Sequence, residues 1–176
     1  MPFASPHISV EDWNSGRYND IDIFEDQMRT WLFEQARLLA PNQHSGPAIL
    51  ALVTPYFESI ECYKSGKSSK GNETAFLRKG LAQVFPSLSS EVCEQYITEV
   101  RHGFAHEAIF RRVALHHSHP DFPTFGIHNG ILFVDPWWVL ACTEQHFDRY
   151  VLALRDGQYP ELLQSFNSFM QIRKQR

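Results

Sequence analysis

Ser89-Ser90-Glu91-Val92-Cys93-Glu94-Gln95-Tyr96-Ile97-Thr98-Glu99-Val100-Arg101-His102-Gly103-Phe104-Ala105-His106-Glu107 is the stretch on which the fold turns. Ser89 or Ser90 can cap a helix start, and Val92, Tyr96, Ile97, Val100 and Phe104 then recur at helical spacing. Such a helix has one apolar stripe and needs neighbouring helices to cover it. Its end carries Arg101, His102 and His106, a cation that can grip phosphate oxygens beside imidazoles that can move protons.

Working outward, the same period recurs. Upstream, Ile21, Phe24, Met28, Trp31, Leu32, Gln35, Leu38 and Leu39 predict a first amphipathic helix, with Asn19 or Asp20 at its start and Pro41 closing it. Ser45 or Gly46 can cap a second helix, with Pro47 at its first position. That helix reaches about Lys64, with Ile49, Leu50, Val53, Tyr56, Phe57 and Ile60 as its apolar face and Pro55 in its interior. Ser65 to Gly71 reads as a flexible Gly/Ser/Lys loop. A short helix capped by Asn72 then runs from about Glu73 to Phe85.

Downstream of Arg112 the chain loosens into a histidine- and proline-rich stretch, Val113 to Pro123. Residues 124–134 place Asn129-Gly130 between two apolar runs, the strongest hairpin signal in the chain. Asp135-Pro136 opens a long helix that stops at Gly157, and a last helix covers about Pro160 to Gln171. The fold expected is an all-α bundle with a small inserted β-hairpin at about 124–134. Residues 1–18, broken by Pro2, Pro6 and Gly16, read as an irregular arm, and 19–176 as a single helical domain.

Composition narrows the function. With 176 residues, 43% of them apolar, and 14 Phe, 6 Tyr and 4 Trp, the chain can bury one sizeable core. A net charge of -4 argues against a general nucleic-acid coat, so any RNA contact requires a local basic patch or a partner subunit. Cys62, Cys93 and Cys142 form no C-x-x-C pair, which points away from a zinc ribbon or a disulfide framework and toward a reducing, cytoplasmic setting. Neither a signal peptide nor a run near the roughly 18 apolar residues of a membrane span is visible.

Arg101 and His106 match an Arg-x-x-x-x-His spacing, which by itself arises often by chance as a solvated arginine and a packed histidine. In its context of a capped helix, preceded by Pro55-Tyr56-Phe57-Glu58-Ser59-Ile60-Glu61 and followed by a variable region and a closing helix, it resembles the HEPN superfamily (higher eukaryotes and prokaryotes nucleotide-binding). The likeness spans about residues 46–154. Arg101, His102 and His106 stand at the positions of the family's arginine, polar neighbour and histidine.

The resemblance implies a HEPN-like helical bundle that pairs as a homodimer, bringing two Arg...His sets into one cleft. It also implies a metal-independent endoribonuclease or RNA-binding protein of a bacterial stress, toxin-antitoxin or defence system, with an antitoxin protein as a further partner. His106 would serve as general base or acid, Arg101 would stabilise phosphorane charge, and His102 would orient the phosphate. Glu58 or Glu61 would fix an imidazole tautomer or tether the arginine, with Glu58 favoured. The alternative is a catalytically inactive HEPN-like dimerisation or interaction module, its cations resting at a helix C-terminus.

On an ideal helix, residues five apart differ by about 140° around the axis, so Arg101 and His106 do not share a face, whereas His102 and His106 nearly do. A break near Gly103 or a second subunit would resolve this.

Other chemistries fit less well. His102-x-x-x-His106 has ligand spacing, but Gly103 stands where H-E-x-x-H zinc hydrolases need glutamate, so no metal or cofactor is expected. His116, His117 and His119 read as a solvated turn. Gly66-Lys67-Ser68 lacks the leading glycine of a phosphate loop, since Glu61 occupies that position.

Overall fold

A computed structural model describes residues 4–107 and 109–175, and the fold is mainly helical (65% helix, 7% strand). Among the described residues no helix is long and apolar enough to cross a membrane. Of the stretch read as an irregular arm, residues 1–3 lie outside the described residues, and the remainder contains a short helix, α1 (Val10–Asn14). Ser9 caps it by accepting from the Asp12 N–H. This segment lies against the next helix, where Gln27 donates to the Ala4 carbonyl and His7 meets Asp26 at 2.7 Å.

The first long helix runs through α2 (Asp20–Gln27), π1 (Met28–Glu34) and α3 (Gln35–Leu39). Its start is a capping box in which Asn19 and Asp22 satisfy each other's backbone N–H groups. The π-helical middle changes which residues face inward. An i→i+5 turn holds more residues than an α turn, so the buried face passes from Ile23 and Phe24 to Phe33 and Ala36. Trp31 and Leu38, expected on the apolar face, are instead 56% and 69% exposed.

The central helix, α4 (Gly46–Ser65), passes through Pro55 and ends at Gly66, whose φ of 69° is the left-handed closure glycine permits. Ser45 is its N-cap residue but makes no side-chain cap bond; its hydroxyl donates to the carbonyls of Leu39 and Asn42. Next comes α5 (Glu73–Val84), which makes no side-chain cap bond from Asn72. It crosses α4 so closely that a Cβ on Gly80 would lie 2.5 Å from the Phe57 carbonyl carbon and 2.9 Å from its Cα. Only glycine fits there.

The motif helix is α6 (Ser90–Gln95), π2 (Tyr96–His102) and α7 (Gly103–Glu107), with Ser89 as its cap. Three strands follow: β1 (Val113–Leu115), β2 (Phe125–His128) and β3 (Ile131–Val134). The expected hairpin is β2–β3, antiparallel with Phe125 opposite Val134. Asn129 (φ 51°) and Gly130 (φ 74°) form its tight turn, as a primed turn requires. The stretch read as loosened also contributes a strand: β1 adds parallel to β3, giving the order β1-β3-β2.

Asp135 ends the sheet and caps α8 (Pro136–Asp156), accepting from the N–H groups of Trp137 and Trp138. Ser118 donates to the same carboxylate, tying the β1–β2 connection to the helix start. The last helix, α9 (Pro160–Lys174), covers α4. Phe24, Phe33, Tyr56, Phe57, Tyr96, Phe147 and Phe166 make the centre of the core. Each fully buried ring of this kind stabilises the fold by roughly 1.5–3 kcal/mol before entropy is counted.

Candidate functional site

Arg101 and His102 occupy the last two positions of π2, and the Gly103 N–H donates back five residues to the Thr98 carbonyl. The uniform 100° step of an α-helix therefore does not hold where the motif begins. What results is a contiguous string of side chains. Glu58 Oε2 lies 3.9 Å from the Arg101 guanidinium, which reaches His102 Nδ1 at 3.4 Å. The His102 ring lies parallel to that of His106, centroids 5.9 Å apart and planes within 8°.

All four residues singled out from the sequence thus adjoin one another, but not as one converging set. Among the described residues no hydrogen bond or ion pair joins Arg101 to His106. His102 stands between them. Glu61 lies apart from the string, its carboxylate held by Lys79 at 3.5 Å and by Gln83.

Arg101 and Glu58 line a cavity of about 340 Å³ with Thr54, Pro55, Leu77 and Phe104. Pro55 has no N–H to give the Ala51 carbonyl, and Ala51 lines this cavity too. Its floor is held by the buried Thr54 hydroxyl, bonded to Tyr96 Oη at 2.8 Å. Glu58 and Arg101 are each about one-quarter exposed, so the pair is open to solvent. His106 is exposed.

Electrostatics separates the imidazoles. Burial first, then the neighbouring Arg101 and His106, lowers the His102 pKa from 6.5, so the ring is neutral at pH 7. A neutral ring whose Nδ1 accepts from Arg101 carries its proton on Nε2. His102 is thereby suited to orient a neighbouring group, while His106 stands exposed to solvent.

Ser69 was missed in the sequence reading, where its segment stood as a flexible loop. Its hydroxyl donates to Glu58 Oε1 at 2.6 Å, so the loop helps aim the carboxylate that faces Arg101. No local pattern announces a contact across eleven residues.

In the histidine-rich turn His117 and His119 are exposed, as expected, and His116 is half-buried and hydrogen-bonded. His116 Nε2 meets the Pro123 carbonyl at 3.0 Å, and its Nδ1 accepts from the His119 N–H. His116 and His117 line a cavity of about 590 Å³ with His44 and Trp137. Among the described residues no three His, Cys, Asp or Glu side chains are grouped to hold a metal ion.

The chain matches no family model, curated protein or solved structure.

Proposed function

We propose that this chain is a HEPN-like, metal-independent endoribonuclease acting as a homodimer in a bacterial stress, toxin-antitoxin or defence system. The observation that carries the reading is the string Glu58, Arg101, His102, His106, whose first two members line a cavity. Arg101 supplies paired N–H donors for phosphate oxygens. His106 supplies an exposed imidazole, a group able to take and give protons.

In this reading His106 takes the proton from an RNA 2′-hydroxyl as that oxygen attacks the adjacent phosphorus. Arg101 stabilises the added negative charge on the phosphorane. The bond to the 5′-oxygen breaks, that oxygen takes a proton from the second subunit's imidazole, and a 2′,3′-cyclic phosphate remains. Because Arg101 turns toward Glu58 while His106 stays exposed, a second subunit best completes the set.

A second reading has its own support. Glu58, itself aimed by Ser69, already partners Arg101, as suits a dimerisation or interaction module without catalysis. Incubating the dimer with single-stranded RNA in EDTA tests the two. The expected product ends in a cyclic phosphate, and Arg101→Ala or His106→Ala slows its formation by about 10²–10⁴-fold. Cleavage unchanged in both variants, or no cleavage at all by a well-formed dimer, would refute the enzyme reading.

A further inference from the structure

A third cavity, of about 250 Å³, lies where α4, α8 and α9 meet, away from the Arg101 site. It is lined by Lys64 of α4, by His146, Arg149 and Tyr150 of α8, and by Tyr159 and Leu162 at the start of α9. None of the lining residues is acidic. Lys64 and Arg149 make no ion pair among the described residues. In a chain of net charge -4, where most other arginines are paired with carboxylates, two unpaired cations on one cavity are conspicuous.

Of the nearby carboxylates, Glu61 favours the Lys64 charge from a distance, but among the described residues none pairs with either cation. Glu61 is held by Lys79 and Gln83, and Asp148 pairs with Arg29 at 2.9 Å. Two further groups point to a ligand with acceptor oxygens. His146 is only 9% exposed and bonds through Nδ1 to Tyr56 Oη at 2.7 Å, which leaves Nε2 as its open position. The hydroxyl of Tyr150, itself 5% exposed, is buried with no hydrogen-bond partner among the described residues.

We propose that this cavity binds a small phosphate-bearing anion, its charge neutralised by Lys64 and Arg149 and its oxygens met by the open nitrogen of His146. Two cations beside a buried neutral imidazole favour an anion over a neutral or cationic ligand, since only an anion offsets the mutual repulsion of Lys64 and Arg149. The volume suits a phosphate or a compact phosphomonoester and excludes a folded macromolecule. Tyr159, half exposed at the rim, offers a flat apolar surface for the organic part of a monoester. This assignment uses no residue of the Arg101 site and stands or falls independently of the ribonuclease reading.

The test is titration of the whole protein with inorganic phosphate and, separately, with adenosine monophosphate, followed by the His146 ring resonances. His146→Gln identifies those resonances by their loss. Burial, with Lys64 and Arg149, holds the His146 pKa down at about 4, and an adjacent anion raises it. The expected result is a saturable shift and an upward-moving His146 titration. Binding weakens by roughly tenfold to a hundredfold in Lys64→Met and in Arg149→Met.

Equal binding of both probes assigns a free-anion site, and tighter binding of the monoester assigns a role to Tyr159. No saturable shift with either probe in the wild-type protein would overturn the proposal whatever the variants do. So would a shift that both methionine variants retain.

Discussion

Replacing Gly80 by alanine puts the α4–α5 crossing to the test. Helix propensity alone favours the change, because alanine in a helix interior is better than glycine by about 1 kcal/mol. The structure argues the opposite. The new Cβ would stand 2.5 Å from the Phe57 carbonyl carbon, 2.9 Å from its Cα and closer still to its oxygen. Carbon atoms rest about 3.5–4.0 Å apart, so the helices must part by roughly 1 Å. Both sides of the contact are backbone, and no rotamer change can relieve it. Parting the helices loosens Leu77 and Leu81, which are fully buried beside Phe57. Ordinary overpacking costs about 1–3 kcal/mol, and this case belongs at or above the upper end. Less the propensity gain, the expected net loss is about 3 kcal/mol. For a chain of this length that lowers the melting temperature by roughly 6–12 °C. Thermal unfolding followed by far-ultraviolet circular dichroism, with a urea midpoint beside it, measures the effect. An alanine variant as stable as the parent would show that the crossing is looser than described and that propensity rules at this position.

Two further outcomes follow from buried polar groups. His146 has a folded-state pKa near 4 against 6.5 when unfolded, so between those values the unfolded chain binds the extra proton and stability falls as the pH drops from 6.5 toward 4. His146→Gln should flatten urea midpoints across that window by on the order of 2 kcal/mol, and an unchanged pH profile would reassign the proton uptake to another group. Asp135→Ala removes the acceptor for the N–H groups of Trp137, Trp138 and Ser118 and should cost roughly 2 kcal/mol, read as a lower denaturation midpoint; a loss of only a few tenths would mean that the cap is dispensable.

Local chemistry explains which parts of this fold can be read from the chain. Asn129-Gly130 between apolar runs predicts the hairpin because both residues tolerate positive φ, as the turn demands. Asp135-Pro136 and Gly157 mark the ends of α8 by capping and by left-handed closure. Strand β1 carries no such mark. Three residues pairing in parallel with a strand eighteen places later have no period of their own to display. The π segments are hidden for a related reason. An extra residue in one turn leaves composition untouched, yet moves Phe33 inward and Trp31 outward, so a fixed 3.6-residue count assigns the wrong face beyond it. At the candidate site, the sequence offers Glu58 or Glu61 as the partner of Arg101 and the structure places Glu58 there, while the Ser69 contact depends on how a loop folds back.

The second π segment bears most on the chemistry. Had the motif helix been purely α-helical, Arg101 and His106 would be related only by their separation around its axis. At the end of π2 Arg101 turns to Glu58, and the His102 ring lies parallel to His106 four residues on, as α-helical spacing already allows, so His102 stands between the cation and the exposed imidazole. The Glu58 contact is long at 3.9 Å and partly solvated, and such pairs are worth no more than about 1 kcal/mol. A phosphate oxygen, able to accept two guanidinium N–H groups at once, gains more than that contact loses. Glu58 can therefore hold Arg101 in place before an anion arrives without preventing its transfer to the anion. In the proposed ribonuclease reading, that combination would separate a poised site from a structural salt bridge, and it rests on the looseness of the pair, not on its presence.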